Sequence, residues 1–321
     1  MRASETSAIA SAAGPVGRPV SLKADRPRWG ERLIFAFLAL CALVSVAVTL
    51  AIVASLLRPT VEFFGEVSLT DFLFGKVWAP LFNPPSFGVL PIVVGTLTTT
   101  FWALLVCLPF GLGAAIYLSE YARPRVRAFA KPALEILAGV PTVVYGFFAL
   151  TFLAPIVMDV WFLGDKPSSQ QFALVAGLVM GIMIIPTVAS LSEDAMAAVP
   201  NSLRQGAYAL GAPKLTVSTR VVVPAALSGI VASFVLAISR AIGETMIVLI
   251  AAGSTPNLSF DPRDAVQTMT SFVASTGIGD VATGSTAYKT LFAVGSLLFI
   301  ATFVMNLISI RLVRRYREVY E

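Results

Sequence analysis

Residues 190–227 read SLSEDAMAAVPNSLRQGAYALGAPKLTVSTRVVVPAAL, and this polar insert between two long apolar runs decides the fold. Two helical pieces are expected in it, divided by Pro200. Ser190 with Glu193, and Ser202 with Gln205, each fit the S-x-x-E/Q capping box, in which side chains satisfy amides that a helix start leaves unpaired. The second piece is expected to end at Gly211, since glycine enters the left-handed C-cap without a steric penalty. Leu203, Ala207 and Leu210 form a short apolar stripe. Gly206 and Ala207 are small enough to let another backbone approach. Two readings stand at this point: an amphipathic connector resting on a membrane surface, or a helix on which another protein docks.

Outward from the insert the chain is apolar. Six runs are expected to cross a bilayer: Leu33–Leu57, Leu90–Leu118, Ala133–Val157, Phe172–Ala189, Ala225–Ala252 and Leu291–Ile310. About 20 helical residues suffice for a hydrocarbon layer of ~30 Å. Composition agrees, with 57% of the 321 residues hydrophobic and 13% charged. A soluble surface cannot be assembled from so few charges, because such domains are about a quarter charged. Histidine is absent, which removes the commonest general base and metal ligand. Cys41 and Cys107 sit inside apolar runs and read as small buried hydrophobes. The chain is therefore expected to be an all-α integral membrane protein.

Lys and Arg give the orientation. With the N-terminus cytoplasmic, seventeen of them fall in inside segments and five outside, the asymmetry of the positive-inside rule. Both termini are expected in the cytoplasm. The expected organisation is a disordered tail over 1–31, a first span over 32–58 and an extracytoplasmic loop over 59–89. A five-span core over 90–310, with the loop 190–224 inside it, and a basic end over 311–321 complete the chain. The first span is too long for the apolar core of a signal peptide and reads as an uncleaved anchor.

Arg240 and Glu244 lie inside the fifth run, where no other ionisable residue occurs from Arg220 to Asp261. Thirteen residues beyond Leu227, Arg240 stands about 20 Å along the helix, near mid-membrane. A charge at that depth costs at least ~2.5–3.5 kcal/mol on insertion scales, and such residues are functional by default. In a continuous helix the two would share a face and could pair, so a structural ion pair is the competing reading. Gly243 thins the same turn. A guanidinium carries five donors in a planar fork suited to phosphate oxygens. Glu244 could hold that fork in place or accept a hydrogen bond from a protonated phosphate oxygen.

In the third run Pro141 deprives the Leu137 carbonyl of its helical partner. Irregular backbone at membrane depth is tolerated where it is buried or lines a cavity. Thr142 and Tyr145 follow and could supply hydroxyls to that cavity, although a packing kink explains the proline equally well. The run Thr98-Thr99-Thr100 offers more hydroxyls, which in membrane helices commonly bond back to their own backbone.

Within the insert, Gln205-Gly206-Ala207, three residues, Gly211, nine residues and Val221-Val222-Val223-Pro224 resemble the EAA loop of binding-protein-dependent ABC importers. The Gly-to-Pro spacing matches in full, with Gln205 in place of Glu and valines in place of Ile and Leu. Residues 137–148 (LAGVPTVVYGFF), 239–246 (SRAIGETM), 267–274 (QTMTSFVA) and 291–299 (LFAVGSLLF) are similar to the PstC-type permeases of phosphate importers, more than to the PstA-type. That resemblance runs from about Leu33 to Glu321. It implies a type I importer permease of MetI-like fold in a bacterial cell membrane. It further implies a phosphate path with Arg240, Glu244, Thr142 and Tyr145, and ATPase coupling through Gln205, Gly206, Ala207, Gly211 and Pro224. The implied partners are a PstA-type sister permease, two PstB-type ATPase subunits and a PstS-type phosphate-binding protein. ATP and Mg would sit on the ATPases, with no cofactor and no catalysis on this chain, which lacks a P-loop. An ion-coupled secondary anion transporter using Glu244, and an ABC permease for another oxyanion, are the alternatives.

Overall fold

The computed structural model describes residues 29–161 and 165–316. The expectations for the tail before Trp29 and for the last five residues lie outside the described residues. Where no water reaches the backbone, each amide must be paired within its own segment, and the chain accordingly folds as helices. Helix α1, Trp29–Glu66, comes first. Its part up to Ala54 forms a unit of its own with exposed apolar side chains such as Leu33, Phe37 and Leu43. From Ser55 onward α1 belongs to the main body, where Thr60 and Ser296 share a hydrogen bond of 2.9 Å.

A short α2, Leu69–Phe74, precedes a two-strand hairpin. In it β1 (Trp78–Ala79) and β2 (Ser86–Phe87) pair antiparallel with Trp78 opposite Phe87. Then come α3, Leu90–Ile116, prolonged by a π-turn over Tyr117–Tyr121, and α4, Pro124–Ala138. Next are α5, Thr142–Asp159, and α6, Ala173–Ala197. The insert folds as α7, Asn201–Ala209, and α8, Lys214–Ala225. The chain closes with α9 (Leu227–Ile242), α10 (Met246–Ala251), α11 (Met269–Ile278) and α12 (Thr286–Tyr316). Five of the described helices are long and apolar enough to cross a membrane, and six spans result if α8 and α9, bent by 73°, count as one.

Close helix contact makes the core. A Cβ at Gly177 would lie 2.5 Å from Trp102 Cβ, and one at Gly181 would lie 2.8 Å from the Ala103 carbonyl oxygen. Small residues thus let α3 and α6 touch backbone to side chain, the usual means of helix association in lipid. Ala103, Cys107, Val175, Met180, Met183 and Ile184 are fully buried along this seam. At the end near the hairpin, Phe63, Phe72, Trp78 and Phe272 pack edge to face. At the opposite end Met196, Val199, Val217, Val222 and Ile230 form a cluster beneath α7.

Three expectations need correction. The third span does not run unbroken from Ala133: Gly139–Pro141 separate α4 from α5, whose first helical residue is Thr142. Pro141, which has no N–H, stands immediately before the α5 start, where no helical donor is required of it. The fifth run is not one helix, being bent at Ala226 and broken again over residues 243–245. The fourth span continues to Ala197, so Ser190 is interior to α6 and caps nothing. Likewise Pro200 stands at the start of α7 with no side-chain cap, and Ser202 lies inside its first turn.

Candidate functional site

Arg240 sits in the last turn of α9. Its Nη1 lies 3.4 Å from Thr187 Oγ1 and its Nη2 lies 3.2 Å from Met183 Sδ. Met183 and Thr187 are one turn apart near the middle of α6, a 25-residue helix that measures about 37 Å at 1.5 Å per residue. The guanidinium therefore stands at mid-helix depth by a ruler independent of its own helix.

Glu244 does not join it. Helix α9 stops at Ile242, and Gly243 and Thr245 turn the chain into α10. The Glu244 carboxylate swings toward that next helix, where Oε1 accepts the N–H groups of Met246 at 3.1 Å and Ile247 at 3.3 Å. It is an N-terminal cap, satisfying amides that a helix start leaves orphaned, and it is 8% exposed. The i,i+4 ion pair of the competing reading is absent because the helix ends between the two residues. Among the described residues no carboxylate comes within ion-pair distance of Arg240.

The third span borders the same junction. Tyr145 is buried, and its hydroxyl donates to the Leu137 carbonyl at 2.9 Å, the acceptor that Pro141 leaves without a helical N–H. Thr142, half-buried, opens α5 one turn earlier. A Cβ at Gly146 would fall 2.9 Å from Ile250 Cδ1, so the glycine admits α10 against α5. From the far side, α11 brings Thr270, whose hydroxyl donates to the Glu244 carbonyl at 2.6 Å. The Met269 N–H donates to Thr96 Oγ1 at 3.0 Å. Sequence reading passed over Met183, Thr187 and Thr270, which no spacing connects to Arg240. Thr98 and Thr99 bond back to the Val94 and Gly95 carbonyls, whereas the buried Thr100 hydroxyl finds no partner among the described residues.

The second candidate region is α7. Gln205, Gly206, Tyr208 and Leu210 are exposed, Leu210 at 90%. Nothing lies within 4 Å of a Cβ placed at Gly206 or Gly211, and Gly211 has φ +78°, the left-handed region expected of a C-cap glycine. Ala207 points the other way and packs on the cluster beneath. Pro224 is exposed near the end of α8.

Two charge clusters at this end, each built on a buried carboxylate, were not foreseen. Arg204 pairs with Glu120 at 3.0 Å, with side chains 14% and 5% exposed. Glu193, fully buried, pairs with Arg127 and with Lys131 at 2.8 Å, and Lys131 also bonds Asp194. The hydrogen bonds that the Lys131 ammonium donates to the Asp194 and Glu193 carboxylates hold its proton more tightly than in an ordinary lysine. The i,i+4 spacing of Arg127 and Lys131 was visible in sequence, but their acceptors lie more than sixty residues away.

The profile described as binding-protein-dependent transport system inner membrane component matches residues 108–318. The probable ABC transporter permease protein YqgH of Bacillus subtilis is 36% identical over 84% of this chain and 86% of its own length. The phosphate transport system permease protein PstC 1 of Mycobacterium bovis is 34% identical over 78% of each chain. Among solved structures, a chain of a bacterial alginate ABC transporter in complex with an alginate-bound periplasmic protein shares the fold, with TM-score 0.64 at 14% identity. That alignment covers 89% of this chain and 95% of the other.

Proposed function

The chain belongs to the inner membrane components of binding-protein-dependent transport systems, in the PstC-type branch, and on that footing we propose that it forms half of an ATP-driven import path for inorganic phosphate. The observation that carries the reading is the mid-depth guanidinium of Arg240, held among the described residues by a threonine hydroxyl and a thioether and paired there with no carboxylate. A cation at that depth is stabilised when an anion arrives, and a planar fork of five donors suits tetrahedral oxygens. Glu244 spends Oε1 on the amides of α10, which leaves Oε2 to accept from a protonated phosphate oxygen. A fully ionised oxyanion such as sulfate offers no such donor. Tyr145 and Thr142 border the path on the α5 side.

The engine lies in other subunits. In this reading the cytoplasmic surface includes the exposed face of α7, with Gln205, Gly206 and Gly211, which seats on one of two ATPase subunits. Ala207 holds α7 to the chain beneath it, and Pro224 closes the segment before the bend into α9. A sister permease completes the path, and a phosphate-binding protein delivers the anion at the hairpin end. The test is uptake of labelled phosphate by the reconstituted complex. The proposal expects import that requires hydrolysable ATP and is not inhibited by excess sulfate. Import driven by a proton gradient without ATP would instead assign the chain to secondary transport.

A further inference from the structure

We infer that Arg204 is the positioning residue that locks the docking helix to the helix carrying the Arg240 contacts, so that movement of α7 becomes movement of the phosphate site. This rests on the docking reading of α7. The guanidinium holds four acceptors on three elements. It donates to Glu120 Oε1 at the end of α3 through Nη2 at 3.0 Å and Nε at 3.3 Å. It also donates to the Met196 carbonyl in the last turn of α6 at 2.7 Å, to the Val199 carbonyl just beyond that helix, and to Asn201 within α7. Its side chain is 14% exposed, so water does not compete for these bonds.

From that knot the structure runs stiffly to the site. Between Thr187 and Met196, α6 is continuous helix with no proline, about 14 Å of rise. Halfway along, Ser192 bonds Ser233 of α9 at 2.8 Å, both buried. Thr187 then touches Arg240, which lies two turns beyond Ser233 on α9. A shift of α7 thus reaches both helices that frame the guanidinium. An ordinary loop charge would be exposed and free to slide; Arg204 is neither. A lysine in its place could neutralise Glu120 but could not span the four acceptors.

The assay uses the complete complex in proteoliposomes and reads phosphate imported per ATP hydrolysed. Arg204→Gln is expected to lower that ratio roughly tenfold, within the range of coupling between distant sites, while ATP hydrolysis continues. Arg204→Lys should fall between. A merely structural role would depress import and hydrolysis together and leave the ratio unchanged, which overturns the inference. Should Arg204→Gln fail to assemble, spin labels on Ser202→Cys and Leu191→Cys, with Cys41 and Cys107 removed, decide the matter. An unchanged distance across ATP binding supports the lock, and sliding of α7 over α6 overturns it. Absence of ATP-driven phosphate import by the wild-type complex would instead defeat the functional proposal.

Discussion

Replacing Tyr145 with phenylalanine removes one oxygen atom and leaves the ring in its buried slot. In the structure that oxygen donates at 2.9 Å to the Leu137 carbonyl, whose other partner is a long 3.3 Å bond from the Val140 N–H. The substitution therefore returns the α4–α5 break to a nearly unsatisfied acceptor. A neutral hydrogen bond of this kind contributes ~0.5–1.5 kcal/mol in water, and side-chain bonds between membrane helices average about 0.6 with a maximum near 1.7. A loss of about 1 kcal/mol, roughly fivefold in an equilibrium constant, is the expected cost. It should appear as a lower melting temperature of the purified complex and a modest fall in maximal uptake, with KM for phosphate unchanged. The reasoning fails if Tyr145→Phe melts normally while KM rises by roughly tenfold or more, the value of a hydrogen bond to an anion. That result would put the hydroxyl on the substrate.

Other outcomes follow from the same geometry. Gly211→Val forces a branched side chain to φ +78°, at about 1–2 kcal/mol for a left-handed residue, and should uncouple or dissociate the ATPase. Gly206→Trp fills open space on the exposed face of α7 and should block copurification of the ATPase with a correctly inserted permease. Gly181→Val drives a side chain into the Ala103 backbone and Val106; overpacking costs ~1–3 kcal/mol or more, visible as a lower melting temperature. In a cysteine-free background, a cysteine at exposed Phe82 should react with an impermeant thiol reagent on intact cells and one at Lys214 should not. The reverse pattern would invert the topology.

Hydropathy and the distribution of Lys and Arg made the long spans and their order legible, because lipid exposure acts on some twenty residues at once. The breaks were not legible in the same way. A three-residue turn at 243–245 leaves the average over its window unchanged, yet it rotates Glu244 away from Arg240 and cancels the pairing that the spacing suggested. Pro141 was visible as an irregularity, but whether it kinked a span or began one depended on which hydroxyl reached Leu137. Gly211 was legible because its conformation is a local property of the residue. Arg204, Glu120 and Glu193 were not, since each looks like an ordinary loop charge until tertiary contacts bury it. The mid-depth guanidinium was found from sequence alone by its cost; its surroundings came only with the fold.

The most direct test of the account is phosphate uptake by the reconstituted complex carrying Arg240→Gln, measured beside ATPase association and hydrolysis. Because no carboxylate among the described residues pairs with Arg240, the substitution leaves no orphaned partner there, and Glu244 keeps its cap on α10. The complex should assemble and hydrolyse ATP, and phosphate import should be lost. Import at near wild-type rate by an assembled Arg240→Gln complex would contradict the claim that this guanidinium receives the anion.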